Sequence, residues 1–294
     1  MRSQWFPPKP TFTEEDLPPQ NGRVYIVTAI ETLTKASPSK NPGVIKFLSL
    51  DLDDLDSVKL AAATFAEQES KLHVLWNNAG TGALRVEVGA RTKQGFEAMM
   101  GMHCVAARLF TQLLLPQLQA AVGSSPQGSV RVVWTASFLG EASWPVNGID
   151  FNVLEQETTD RTRNYAVSKV GNWMLGREMA ARHGKDGIVS ITQNPGNLKA
   201  GSYAGTPAVA MFFIKRVLHD TKFGGYTELY PGLSPEISIE HNGGYVIPWG
   251  RIEPDEECPR KDIIEAMTPE AEGGLGYCTK FWDWCEEQAR PFPS

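Results

Sequence analysis

Two residues in this chain have the types and spacing of an acid–base pair. Tyr165 and Lys169 lie four apart in Tyr165-Ala166-Val167-Ser168-Lys169, and on a helix that spacing stacks both side chains on one face. A free phenol, with a pKa near 10, transfers protons poorly at neutral pH. An ammonium about 4 Å away interacts with a phenolate by roughly 4 kcal/mol at an effective dielectric of ~20, which lowers the phenol's pKa by up to about 3. That brings it into the working range of a general acid–base catalyst. Taken alone, Tyr-x-x-x-Lys is a common exposed helical pair. Its context is less ordinary. Ser137 follows a strand-like run, where a hydroxyl could hold a carbonyl or alcohol oxygen beside the phenol. Asn77-Asn78-Ala79-Gly80 ends another such run, and glycine lets backbone approach a ligand closely. Asn194-Pro195-Gly196 closes a third. In open α/β sheets, ligands bind outside the carboxyl ends of strands, and all these residues fall there. Each segment alone reads equally well as a plain turn; the ordered set does not.

The elements that would position them follow from periodicity. Short β-branched runs at Arg23–Thr28, Val44–Leu50, Leu72–Trp76, Val130–Thr135 and Gly187–Thr192 read as buried strands. Tyr245–Trp249 reads as an edge strand, because Pro248 cannot donate to a central ladder. Asp54 or Asp56 can cap a helix whose stripe is Val58, Leu60, Ala61, Phe65 and Ala66. Further helices are expected over Lys93–Ala121 and Tyr165–His183. Strands alternating with helices predict an α/β fold with a doubly wound parallel sheet. The proline-rich residues 1–20 predict an extended arm, ahead of one domain over 21–294. A Trp/Phe-rich helix near Phe281–Cys285 suits core packing or contact between identical subunits.

Bulk properties exclude several classes. A chain of 294 residues fits one large α/β domain. Its net charge of −6 offers no basic footprint for nucleic acid. The four cysteines, Cys104, Cys258, Cys278 and Cys285, include no Cys-x-x-Cys pair, which argues against zinc and thioredoxin-type sites. Scattered thiols suit a cytoplasmic protein. Met1–Asp16 is broken by Pro7, Pro8 and Pro10 and has no apolar core of a signal peptide. No apolar run approaches the ~18 residues of a membrane span. A soluble protein without nucleic-acid or membrane partners is expected.

With these motifs in this order, the chain resembles an NAD(P)-dependent short-chain dehydrogenase/reductase. It is especially similar to fungal members with a Phe-Thr-Glu arm, here Phe12-Thr13-Glu14, and a late Gly232-Leu233-Ser234-Pro235 segment. The match runs over nearly the whole chain. The resemblance implies a Rossmann-like domain with a C-terminal extension on the substrate side, NADP or NAD as cofactor, and a small carbonyl or alcohol as substrate. It implies Tyr165 as general acid/base and Lys169 as the residue that tunes it and bonds the nicotinamide ribose. Ser137 would orient the substrate oxygen. Asn78 would lie against the adenosine side, Asp51 would contact adenine, and the backbone of Leu198 would meet the nicotinamide amide.

The pattern fails in one place. The family's first strand runs into Thr-Gly-x-x-x-Gly-x-Gly, whereas here Thr28 leads into Ala29-Ile30-Glu31-Thr32, and the first glycine to follow is Gly43. A family member fits two crossovers before the segment matching Val44–Leu50, and each takes at least ~10–12 residues; between Ala29 and Leu50 there is room for one. One βα unit is therefore expected to be missing, with the phosphate-binding loop in it. Hydrogen bonds to charged groups are worth ~1.5–3 kcal/mol each, so losing two or three costs on the order of 3–9 kcal/mol of cofactor binding. Two smaller departures are His103, where the family usually has an asparagine that anchors a relay water, and Ala200, where a threonine is common.

Three functions stay open at this point. The first is hydride transfer between NAD(P) and a small carbonyl or alcohol through Ser137, Tyr165 and Lys169. The second is a non-redox protein, either a pseudoenzyme or a cofactor-free proton-transfer enzyme. The third is an incomplete or alternatively spliced product of a normal reductase gene. Ala208, Val209, Met211, Phe212 and Phe213 suit an apolar wall of the substrate pocket or a plain buried helix. If the second strand is missing, Val44–Leu50 is expected to pair in parallel with Arg23–Thr28 through a helix from Ala29 to about Ala36 and a Pro38–Gly43 turn.

Overall fold

The computed structural model describes residues 2–28, 43–138, 143–154, 158–199, 211–212 and 214–292. Six strands form one sheet in the order β1-β2-β3-β4-β5-β6: Tyr25–Val27, Val74–Asn77, Val130–Thr135, Ile188–Gln193, Tyr245–Ile247 and Arg251–Glu253. The first five run parallel, and β6 returns antiparallel to β5. In register, Ile26 faces Leu75, and Leu75 faces Val132. Successive side chains of a strand point to opposite faces, and here both faces are covered. Leu75, Val132 and Trp134 pack in one core with Val58, Phe110 and Val170; Val74, Trp76 and Val133 pack in another with Phe12 and Tyr230. That is why the strands read as continuous apolar runs.

The helices in chain order are α1 Arg2–Trp5, α2 Leu55–Gln68, α3 Ala98–Met100, α4 Ala107–Leu113, α5 Leu115–Val122, α6 Phe151–Leu154, α7 Arg161–His183, α8 Thr221–Leu233, α9 Lys261–Met267 and α10 Tyr277–Ala289. Helices α2, α4, α5, α7 and α10 contribute to the first core, α8 and the N-terminal arm to the second. The aromatic stripe of α10 is core: Phe281 and Trp282 are buried against the first cluster. Among the described residues, no single helix is long and apolar enough to cross a membrane.

Four expectations are corrected. Val44–Leu50 is not a strand and does not pair with β1, whose described partner is β2 alone. Val44, Ile45 and Phe47 are 86%, 75% and 82% exposed. Lys46 instead meets Glu69 at the end of α2 at 2.8 Å. Apolar, β-branched composition makes a residue fit a sheet, but a ladder needs an edge in reach. The expected Ala29–Ala36 helix and nearly all of the Pro38–Gly43 turn lie outside the described residues. Among the described residues β1 is accordingly an edge, and its three-residue length limits the ladder there.

Tyr245–Ile247 is an inner strand rather than an edge, because Pro248 lies just past it and β6 supplies the edge. The expected long helix over Lys93–Ala121 starts at Ala98, widens into a π-helical turn over Gly101–Ala106 and breaks at Leu114, where Pro116 restarts it without a donor. The N-terminal arm is not simply extended. It carries α1 and a 3-10 turn at Glu14–Asp16 capped by Thr13, and it is tied down, with Gln4 1% and Phe12 6% exposed.

Candidate active site

α7 brings the two central residues to the strand ends. Asp160 caps it, its carboxylate accepting from the backbone N–H groups of Thr162 at 3.0 Å and Arg163 at 3.1 Å. That satisfies orphan donors and places negative charge at the helix's positive end. Tyr165 and Lys169 follow on one face. Lys169 is buried, and its Nζ donates to the carbonyl of Thr135, the last residue of β3, at 3.0 Å. Asn172 Nδ2 donates to the same oxygen at 3.0 Å. Ser137 lies two residues beyond Thr135, close enough to Tyr165 for its side chain to favour the phenolate. Lys169 Nζ stands 5.8 Å from the centre of the Tyr165 ring. The three expected residues are thus together at the carboxyl end of β3.

Electrostatically the site differs from expectation. Tyr165 is half-buried, and burial raises its pKa above the ordinary value while Ser137 works against that. Burial also pushes Lys169 down to about 8. The i,i+4 spacing puts the ammonium 5.8 Å from the ring centre, farther than the expected ~4 Å, and the enclosure that removes water disfavours both charges.

His103, in the π-helical turn, is 1% exposed and has both ring nitrogens engaged. The backbone N–H of Thr81 donates to Nε2 at 3.0 Å, so that nitrogen carries the lone pair. The proton of the neutral ring then sits on Nδ1, 2.8 Å from Ser168 Oγ, which itself donates to the Tyr165 carbonyl at 2.9 Å. Burial first, and Lys169 second, hold His103 well below the ordinary histidine pKa. It is a neutral brace between the Gly80–Thr81 turn and α7. Gly80 has no room for a side chain, since a Cβ would stand 2.8 Å from His103 Nε2 and 3.4 Å from Lys169 Nζ.

The other sequence candidates are more scattered. Asn78 and Ala79 both give their backbone N–H groups to Thr28 Oγ1, at 2.8 and 3.0 Å. Asp51 is exposed, and its carboxylate accepts from Asp53 N in its own turn at 3.0 Å. Leu198 forms a parallel bridge with His219, made by Lys199 N–H and Asn197 C=O, so its own amide stands outside that pair of bonds. Ala200, Ala208, Val209 and Phe213 lie outside the described residues; Phe212 is 49% exposed. A cavity of about 420 Å³ opens beside Phe96, Asn164, Val167 and Trp284, and none of Ser137, Tyr165 or Lys169 lines it.

Two groups of residues at the site escaped the sequence. Gln4 Oε1 accepts from Asn194 Nδ2 at 2.8 Å, the Trp5 carbonyl accepts from His219 Nε2 at 3.0 Å, and the Trp5 ring meets Phe138 edge-on at 4.8 Å. Across the sheet, Glu228 of α8 accepts from Gln193 Nε2 at 2.6 Å and Thr135 Oγ1 at 3.3 Å.

A family model described as short chain dehydrogenase matches residues 20–149. A short-chain dehydrogenase/reductase of Pestalotiopsis fici is 43% identical over 320 aligned positions, taking in 96% of this chain and 95% of that protein. The chain belongs to the short-chain dehydrogenase/reductase family. Another member, from Neocamarosporium betae, is 37% identical across 99% of this chain and 93% of its own length. The 320 positions aligned with the Pestalotiopsis member exceed the 294 residues of this chain, so that protein carries residues this one lacks. Among solved structures, the NADPH-bound carbonyl reductase from chicken fatty liver has a TM-score of 0.51 at 21% identity, covering 70% of this chain and 75% of that one. That likeness shows the fold. The family's parallel sheet is thus present, with β1 at its edge.

Proposed function

We propose that this chain is an NAD(P)H-dependent oxidoreductase that reduces the carbonyl group of a small molecule, with Tyr165 as proton donor. The observation that carries the reading is the meeting of Tyr165 and Lys169 at the carboxyl end of β3, where Ser137 lies two residues past Thr135, with Lys169 Nζ bonded to the Thr135 carbonyl at 3.0 Å and 5.8 Å from the Tyr165 ring. When bound, NAD(P)H supplies a hydride to the carbonyl carbon. Ser137 Oγ and the Tyr165 hydroxyl hold the carbonyl oxygen between them. As negative charge builds on that oxygen, the Tyr165 O–H gives up its proton to it. Lys169, still largely cationic at neutral pH with a pKa of about 8, stabilises the phenolate left behind. Burial keeps Tyr165 a neutral phenol, the form that reduction needs; alcohol oxidation needs the phenolate. The environment therefore favours reduction.

The described residues suit the two ends of the cofactor unequally. Near the proposed nicotinamide position, Asn197 Nδ2 is enclosed without a protein acceptor, and the Leu198 amide is outside its neighbours' bridge. An ammonium has three donors, and Lys169 has one on Thr135, leaving others for a ribose hydroxyl. At the pyrophosphate end, the Asn78 and Ala79 amides are spent on Thr28, and no glycine follows before Gly43. Asn78 and Asp51 would meet the adenosine end. We also propose that one βα unit is absent; the longer Pestalotiopsis alignment and the edge position of β1 support this.

The test is loss of NADPH or NADH absorbance with a panel of aromatic and aliphatic ketones and aldehydes. Tyr165→Phe should cut turnover by about 10²-fold or more, the usual weight of a positioned acid, with the melting temperature nearly unchanged. Full turnover in Tyr165→Phe would end the Tyr/Lys mechanism.

A further inference from the structure

We propose that Glu228 is a positioning residue of this site: from the face of the sheet opposite α7, its carboxylate is the counter-charge that keeps Lys169 protonated across the end of β3. The proposal extends the reading of Lys169 given above, but its titration can be measured without turnover.

α8 carries Glu228 into the second core, beside Tyr230, while α7 brings Lys169 from the first. Between them stands Thr135. Its carbonyl accepts from Lys169 Nζ at 3.0 Å, and its hydroxyl donates to Glu228 Oε1 at 3.3 Å. Gln193 Nε2 donates to the same Glu228 oxygen at 2.6 Å. Glu228 Oε2 is enclosed with no hydrogen-bond partner. The helix is fixed here by the bond from Trp76 Nε1 to the Glu228 carbonyl at 2.9 Å. A carboxyl group held this way, with one oxygen dry and bare, is poorly suited to structural bonding alone, because a carboxamide would serve Thr135 equally well. Its charge has to act on something.

Lys169 is the cation that acts on it. Burial raises Glu228 to about 7, opposed by the Thr135 bond, the charge of Lys169 and the Gln193 bond. Lys169 falls to about 8 because it is buried, opposed by Cys104 and Glu228. The Cys104 thiol is itself pushed far up by burial and stays neutral. His103 is neutral as well. Thr135 and Gln193, the partners on β3 and β4, do not titrate. Among the described groups acting on Lys169, Glu228 alone therefore carries negative charge at neutral pH. The pair is jointly ionised only in a narrow interval, from about 7 to about 8.

Two measurements test this. The first is the pH profile of kcat/KM for NADPH-dependent ketone reduction by wild type and Glu228→Gln. Removing the carboxylate should move the basic limb down by about one pH unit, the low end of what an opposite charge does, so that kcat/KM at pH 8 falls about fivefold. The acid-side inflection near pH 7 that Glu228 contributes should vanish, leaving only the shifted basic limb of Lys169. Glu228→Asp should restore part of the basic limb. A role confined to packing would lower the profile without moving it. The second is carbon-13 NMR of glutamate-labelled protein, in which the Glu228 carboxyl should titrate near 7 and rise further in Lys169→Met. This comparison does not need Glu228→Gln to fold. A Glu228 that titrates in the ordinary carboxylate range, ignores Lys169→Met, or leaves the basic limb in place when changed to Gln would overturn the proposal. Wild type that reduces no ketone would sink the enzymatic reading and leave the NMR result to decide the pairing.

Discussion

Arg131 offers the sharpest test of how the site is held. It lies in the middle of the sheet on β3, 4% exposed, and its guanidinium serves four backbone carbonyls: Gly128 at 2.8 Å, Pro231 at 3.1 Å, Ser234 at 2.9 Å and Ile237 at 2.8 Å. The last three belong to the end of α8 and the chain just after it, where helix carbonyls lack intrahelical donors. Burial pulls its pKa down to about 10, an ionisation penalty of roughly 3 kcal/mol. Four bonds from a charged donor contribute ~6–12 kcal/mol against that penalty, so the balance favours keeping the arginine. Lysine retains the charge but cannot reach four carbonyls from one nitrogen. Arg131→Lys should therefore destabilise the protein by ~3–5 kcal/mol, the range for breaking a buried charged network. Arg131→Met removes the penalty together with the bonds and should cost less, about 2–4 kcal/mol. Urea unfolding followed by tryptophan fluorescence reads both values. Arg131→Lys within about 1 kcal/mol of wild type, the size of a single neutral hydrogen bond, would refute the reasoning. So would an Arg131→Met variant more stable than wild type.

Three further outcomes are expected. The folded chain keeps His103 neutral, whereas the unfolded chain protonates it near pH 6.5; stability should then fall as pH drops below that value, and the fall should be shallower in His103→Asn. Melting temperatures between pH 7.5 and 5 that change equally in both proteins would rule this out. If the phosphate-binding loop is absent as proposed, calorimetry should give dissociation constants for NADH and NADPH in the high-micromolar to millimolar range; a low-micromolar value would mean that another segment supplies the donors. Gln4→Ala leaves the fully buried Asn194 Nδ2 without its acceptor and should cost about 1–3 kcal/mol; an unchanged urea midpoint would show that the arm contributes no stability.

The sheet was legible because strands such as Val130–Thr135 are buried on both faces and so are apolar at nearly every position. Tyr165 and Lys169 were legible because helical geometry converts a spacing of four into adjacency. Val44–Phe47 misled because composition reports a preference for a ladder and not whether an edge is within reach. The direction of the Tyr165 shift misled for a related reason: spacing sets the distance between charges, while the enclosure that decides their cost comes from segments far along the chain. Glu228, Gln193 and Gln4 left no local trace. Each is a polar residue in an unremarkable setting, and only tertiary packing seals it at the strand ends. His103 was visible as a departure from the family, but its neutral, doubly bonded state needed Thr81 and Ser168 in place.

The arm that seats Gln4 also sets an order in time. Gln4 bonds Asn194, 190 positions later, and Glu253, 249 positions later. During synthesis, the arm must wait for a long stretch of later chain before its partners exist. Closing so long a loop costs entropy that local contacts do not, so the arm is expected to dock after the sheet has formed. Until then Asn194 Nδ2 lacks its Gln4 acceptor. A nascent chain would therefore carry a sheet and a Tyr165/Lys169 helix well before it carries a closed site.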